Sequence, residues 1–292
     1  MTVSSYYRFD EIEGQLGMAP NGRAKLFSES SFTKDLATRL DTLLDGKRIL
    51  SLDVFDTLVL RDNSSEITRF FEVGGRMAEI ASASSATSVS QIDAFVARQL
   101  GTKATYRASR VENGCREGSL TELHQTASRI LTGNDGLAED FVFAELQNES
   151  TRIVPNPFLV DYVGRYREAG GKVVLITDMY MHADHVETLL DMLGIASEDY
   201  DFLISSADTK VSKSSGGIFP LVEKEMEAQP DQFVHMGDSF RGDVAKPIAA
   251  GWQALHLPIS EFDILERRHD HLATSAMLSS EHGLEFDIAM PR

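Results

Sequence analysis

The chain has 292 residues, of which 45 are Asp or Glu and 28 are Lys or Arg, giving a formal net charge of -17. That balance argues against nucleic acid or an anionic membrane surface as a general partner, because both would repel it. Cys115 is the only cysteine, which excludes an internal disulfide and a thiolate zinc cluster and fits a reducing compartment.

The first residues, with Tyr6, Tyr7, Arg8, Asp10, Glu11 and Glu13, lack the basic start and apolar run of a secretory signal. No stretch reaches the roughly 18 apolar residues of a membrane span, so no membrane partner and a cytoplasmic location are expected. Leu36, Ala37, Leu40, Leu43 and Leu44 predict a helix over Phe32 to Leu44, stopped at Gly46, so residues 1–47 read as a helical N-terminal extension. A first strand follows from about Arg48 to Leu52.

From Asp62 to Ser150 the pattern is helical, with stripes through Phe70, Phe71, Met77 and Ala78, then Ile92, Phe95 and Val96, then Leu120, Leu123, Ala127, Ile130 and Leu131, then Phe141, Phe143 and Leu146. After Pro155 and Pro157 helices and strands alternate. The strands are Val173 to Ile176, Phe202 to Ile204, Phe233 to Met236 and Ala254 to Leu257. The helices run through Leu159 to Tyr166, Val186 to Leu193, Ile218 to Met226 and Val244 to Ala250. Such alternation implies an α/β fold, a Rossmann-like parallel sheet flanked by helices. Residues 48–61 and 151–258 form the expected core, and 62–150 an inserted all-helical cap, since a structureless loop of that length is improbable. Residues 259–292, with Ile264, Leu265, Leu272, Met277 and Leu278, form a C-terminal extension that packs on the core or on a second subunit. Asn63-Ser64-Ser65 is the expected hinge, and Ala81 to Ser85 a flexible loop.

Ligands of open parallel sheets gather at the carboxyl ends of the strands. The first strand ends in Asp53, the second in Thr177-Asp178 and the fourth in Gly237-Asp238-Ser239, with Asp243 close behind, while Lys213 follows the third. Carboxylates, a hydroxyl and a lysine at one sheet edge suit a hard oxygen-loving cation such as Mg2+ facing a phosphoryl group. Asp53 is the candidate nucleophile. Thr177 is placed to hold phosphoryl oxygens and Lys213 to neutralise charge, with Lys210 as a competing surface lysine.

In order along the chain, Asp53 to Thr57, Thr177, Lys213 and Gly237-Asp238 with Asp243 resemble the motifs of the haloacid dehalogenase-like superfamily, over about Arg48 to Leu257. The resemblance implies a covalent aspartyl intermediate on Asp53 and a cap that selects the substrate. It also implies a metal held by Asp53, the Phe55 carbonyl, Asp238 and, directly or through water, Asp243. Thr57, Thr177 and Lys213 are the expected substrate-binding set, with Arg61 just beyond the first motif as either a contact to a substrate anion or a surface or hinge arginine. The chain departs from the phosphatase pattern at Phe55, where an acid/base aspartate is usual; Asp56 and Asp178 are the candidates to replace it. Three readings follow: a Mg2+-dependent phosphohydrolase or phosphotransferase acting on a small phosphorylated metabolite, a metal-independent 2-haloacid dehalogenase that also carries an aromatic residue there, and a non-catalytic binding or regulatory module.

Simpler readings stand beside these. Asp243 could cap the helix at Val244, and Asp178 the helix near His182. Arg98, Arg107 and Arg110 form either an anion-binding face of the cap or ordinary helix-surface charge. His182 with His185, and His269-Asp270-His271, lack further ligands at zinc spacing. Cys115 reads as an inert buried thiol.

Overall fold

The computed structural model describes residues 10–84 and 88–291. Three helices, α1 (Glu11–Gly17), α2 (Arg23–Leu26) and α3 (Ser30–Leu44), precede strand β1 (Ile49–Leu52) and the short strand β2 (Val59–Arg61). Four helices follow: α4 (Glu66–Ser84), α5 (Gln91–Ala108), α6 (Leu120–Thr132) and α7 (Ala138–Ser150). The chain then returns through β3 (Ile153–Pro155) to α8 (Pro157–Glu168), β4 (Lys172–Thr177), α9 (Ala183–Met192), β5 (Phe202–Ser205), α10 (Ser206–Thr209) and α11 (Phe219–Glu225). It closes with β6 (Phe233–Gly237), a π-helical turn over Phe240–Ala245, α12 (Lys246–Ala250), β7 (Gln253–His256) and the long α13 (Glu261–His282).

The five-stranded sheet is wholly parallel in the order β5-β4-β1-β6-β7, as the alternating pattern implied. β1 is buried along its length because helices cover both faces, so the strand reads as a continuous apolar run with no alternation. One face packs Leu50, Leu52 and Leu175 against α3, α8 and α9; the other packs Ile49, Val174 and Phe233 against Phe219, Val222 and Trp252. Phe233 stacks on Trp252 with ring centroids 4.1 Å apart.

Helices α4 to α7 hold a separate core of Val73, Met77, Ala81, Ala94, Ala97, Ala127 and Phe141. Its small residues let the helices close up: a Cβ on Gly101 would stand 2.4 Å from the Leu123 carbonyl oxygen. Phe143 and Ile130, expected to face inward, are half exposed.

Several expectations give way. β2 and β3 pair antiparallel at the root of the helical insertion, where no strand was expected, because three residues are too few to show a period. The Asn63-Ser64-Ser65 hinge is pinned at one end: Ser65 is buried, and its backbone N–H and hydroxyl both donate to Asp270 of α13, at 2.8 and 2.6 Å. Ala81 to Ser84 complete α4, and Ser85 lies outside the described residues. The expected helix from Val244 divides into the π-helical turn and α12. No helix among the described residues is long and apolar enough to cross a membrane.

Candidate active site

β1 lies between β4 and β6, and Asp53, Thr177, Asp238 and Asp243 gather beyond the carboxyl ends of these three strands. They line a cavity of about 280 Å³ together with Phe55, Arg61, Asp178 and Lys213. Thr57 lies behind this wall, buried, and its hydroxyl has no hydrogen-bond partner. Lys213 rather than Lys210 enters the site. Its ammonium donates to Asp53 Oδ1 at 2.5 Å and pairs with Asp243 Oδ1 at 2.7 Å, whereas Lys210 takes a left-handed backbone conformation after α10.

The electrostatics follow from burying several acids around one ammonium. Burial pushes the Asp53 carboxyl well above its usual range; Lys213 pulls it back, while Asp243 and Asp238 push it further. Burial, with Asp56 and Asp243 nearby, pushes Asp238 up to about 7. Burial alone would lower the Lys213 pKa, but Asp243 and Asp53 hold it above its ordinary value. Against burial, Lys213 and His235 hold Asp243 well below the carboxylate range.

Asp243 does not cap the helix at Val244; Ser239 caps the turn and Asp243 points inward. Its Oδ1 meets Lys213 and His235 Nε2, and its Oδ2 accepts the Ser239 amide at 2.8 Å. His235 Nδ1 in turn lies 2.8 Å from the Ser51 hydroxyl, inside β1. Gly237 is required by this approach, since a Cβ there would stand 2.3 Å from Asp243 Cγ. Oxygens of Asp53, Asp238 and Asp243 lie within 4.8 Å of one another, the one such group of potential metal ligands among the described residues. An all-carboxylate donor set fits a hard divalent cation such as Mg2+.

Asp56 is corrected. Its carboxylate is caged by Arg267 (Oδ1 to Nη2, 2.7 Å), Arg23 (Oδ1 to Nη2, 2.9 Å) and Arg61 (Oδ2 to Nη1, 3.4 Å). Although burial opposes it, Arg267, Arg23 and Arg61 hold the carboxyl well below its usual range, so Asp56 has no proton to give near neutral pH. It fixes the loop after β1, where it has a φ of 57°. Asp178 neither caps α9 nor points a free oxygen at the cavity: it accepts the amides of Lys213 (2.7 Å) and Ser214 (3.0 Å), which locks the lysine loop. Arg61 bonds Glu149 at 2.8 Å and lies 4.4 Å above the Phe55 ring centroid, placing its guanidinium on the cavity wall.

The bracing residues were invisible to motif reading because they come from the chain's two ends. Arg23 lies on α2 and Arg267 on α13; Glu13 of α1 bonds His256 Nδ1 at 2.6 Å, and His256 Nε2 bonds the Asp238 carbonyl at 2.9 Å. Both readings of Arg98 fail. It is fully buried in the helical insertion, paired with Glu145, 3.5 Å from the Phe70 ring centroid and 3.1 Å from the Tyr180 hydroxyl. Arg107 and Arg110 are exposed. His182 bridges Ser119 and Asp208, at 2.8 and 2.6 Å, and joins no metal-competent group. Cys115 is half-buried rather than buried, and its thiol donates to the Glu112 carbonyl.

A family profile described as haloacid dehalogenase-like hydrolase matches residues 47–251. The chain belongs to this family of hydrolases. No curated protein matches it closely enough to lend a function. Among solved structures it is similar to 2-haloacid dehalogenase from Pseudomonas syringae pv. Tomato DC3000, at 18% identity over 72% of this chain and 86% of that one, with a TM-score of 0.50. It is also similar to a HAD phosphatase from Thermococcus onnurineus, at 16% identity over 72% and 85%, with a TM-score of 0.46. It spans 60% of an uncharacterized Listeria monocytogenes serotype 4b protein, at 17% identity over 35% of this chain, with a TM-score of 0.33. At these identities the likeness concerns the fold. Arg23, Glu13 and Arg267 all lie outside the matched segment of this haloacid dehalogenase-like hydrolase.

Proposed function

We propose that this haloacid dehalogenase-like hydrolase is a Mg2+-dependent phosphohydrolase or phosphotransferase acting on a small phosphorylated metabolite. The observation that carries the reading is the meeting of Asp53, Asp238 and Asp243 beside Lys213 at the edge of the parallel sheet. Asp53 and Asp238 would hold the cation, with the Phe55 carbonyl, while Asp243 keeps Lys213 and His235 in place. When bound, Mg2+ supplies charge that keeps the carboxylates ionised and offsets the charge of the phosphoryl group.

Asp53 attacks phosphorus in line. A bond forms from its carboxylate oxygen as the bond from phosphorus to the leaving oxygen breaks, and the electron pair departs on that oxygen. Lys213 orients Asp53 and offsets negative charge on the transferring group. Water or an acceptor hydroxyl then takes the phosphoryl group from Asp53. With Phe55 in place of an acid and Asp56 held ionised, no carboxylic proton awaits the leaving oxygen, so acyl phosphates and phosphoanhydrides are favoured over alkyl phosphates. A panel of phosphorylated metabolites, with and without Mg2+ and with Asp53→Asn as the blank, tests this. Wild-type turnover is expected only with Mg2+, falling at least ~10³-fold in Asp53→Asn while the fold persists; full activity in that variant overturns the covalent mechanism.

A second reading rests on Phe55, an aromatic residue on the cavity wall where superfamily members acting on carbon-halogen bonds also carry one. Metal-free halide release from 2-haloacids would establish it. Asp238 and Asp243 beside Asp53 weigh against it, since they repel a haloacid carboxylate.

A further inference from the structure

Beside the catalytic cavity lies a second, larger chamber of about 470 Å³, between the loop that joins α5 to α6 and the loops that follow β5 and β6. The two share a partition: Asp178 and Ser214 line both. Three cations face the chamber, Arg116 from the helical insertion, and Arg241 and Lys246 from the π-helical turn and α12. Glu117 and Asp178 are the acids on its wall, so cations outnumber carboxylates by three to two where the whole chain has 28 to 45.

These cations differ from the arginines that brace the fold. Arg23, Arg61, Arg98, Arg152 and Arg267 are each matched to a carboxylate. Arg116, Arg241 and Lys246 have none within 4.0 Å among the described residues. Arg116 is nevertheless held in place, its Nη1 donating to the carbonyls of Arg107 and Ser109, and the Lys246 ammonium lies 3.5 Å from the Ser215 carbonyl. Asp178, the acid on the partition, is turned onto the Lys213 and Ser214 amides. In a strongly acidic protein, three cations without acid partners around a concave space, two of them against backbone carbonyls, form a seat for an anion.

We propose that this chamber binds a second anionic group of the substrate, so that the enzyme selects phosphorylated metabolites bearing a further phosphate or carboxylate. The inference rests on the phosphoryl-transfer reading for the first cavity. One end of the substrate presents its phosphoryl group to Asp53 while the other reaches past Ser214 to Arg116, Arg241 and Lys246.

Calorimetry in Mg2+ separates the two claims, because it reads binding whether or not turnover occurs. The probes are n-alkylphosphonates, ω-carboxyalkylphosphonates and α,ω-alkanebisphosphonates of matched chain lengths, titrated into the full-length wild type and Arg241→Gln/Lys246→Gln. In wild type, a doubly anionic probe of suitable length is expected to bind about tenfold or more tighter than its alkylphosphonate, the size of one charge-assisted contact. The double variant should lose that advantage while keeping its alkylphosphonate affinity and its turnover of p-nitrophenyl phosphate. Whichever doubly anionic series binds tighter identifies the second group. No advantage at any length, or an advantage that survives the double variant, overturns the proposal. Silence of both proteins toward every phosphate ester, with the advantage intact and lost in the variant, would instead sink only the phosphohydrolase reading.

Discussion

Burial and the neighbouring acids push the Asp238 carboxyl up to about 7, so a cation that binds there in acid has to displace a proton. Mg2+ affinity should therefore climb by about tenfold per pH unit below 7 and level off above. Calorimetric titrations from pH 5.5 to 8.5 check this, and a flat profile would remove Asp238 from the metal site. The sign for stability runs the other way: a folded-state pKa above the ordinary 3.8 gives a contribution that is present in acid and lost as the pH rises through about 7. Added Mg2+ should accordingly raise the melting temperature more at pH 8 than at pH 6. Asp53, Thr177 and Asp238 were legible because each stands at or just beyond a strand end, and an apolar run stopped by a polar residue is a local signal; Lys213 was legible from its spacing to Ile218-Phe219. Asp56 was not, because its role is set by Arg23 and Arg267, 33 and 211 residues away, which no spacing rule connects to it. Asp53 and Asp56, three residues apart, thus look alike in sequence and differ completely in the fold.

Helix α13 turns the usual pattern around. Arg267 and His271 are buried, while Leu265 and Leu272 are 43% and 53% exposed, so these leucines point outward and Leu278, near the end, is the one buried apolar residue of the helix. That inversion is why hydrophobic periodicity left residues 259–292 unplaced. Arg267→Ala should destabilise the protein by about 1.5–3 kcal/mol, since Asp56 keeps its burial but loses hydrogen bonds from a charged donor. Leu272→Ser should stay within about 0.5 kcal/mol. Urea unfolding of both decides the point, and equal effects would mean that the helix packs by its leucines after all. In the helical insertion, Arg98 of α5 and His124 of α6 both meet Glu145 of α7, and Tyr180, from the loop after β4, donates to the same acid. Arg98→Met should cost about 3–5 kcal/mol by stranding the Glu145 charge, and adding Glu145→Leu should recover part of that loss. No recovery in the double variant would show that aromatic stacking on Phe70, rather than the ion pair, sets the value of Arg98. Arg98 escaped prediction because a charged residue on an amphipathic stretch reads as surface unless its partners are known.

At the scale of the molecule, the parallel sheet and the placement of Asp53 at its edge follow from alternating apolar runs, and the observed sheet agrees with the sequence reading. The helical ends do not belong to that pattern; they clamp the sheet edge from outside the family's matched segment, through Arg23, Glu13 and Arg267. A chain ended after Pro258 should therefore keep a folded sheet but lose most of its melting stability and Mg2+ binding, measurable by calorimetry on the shortened protein. Retention of full Mg2+ affinity would show that the terminal helix is ornamental to the site. The same clamp bears on the order of events during synthesis. The sheet strands emerge in sequence and can pair as they appear, but Asp56 waits for a guanidinium 211 residues downstream, on α13. Until then the loop after β1 lacks part of the counter-charge that lets Asp56 be buried, and the sheet edge that carries Asp53 is set only once α13 has been made.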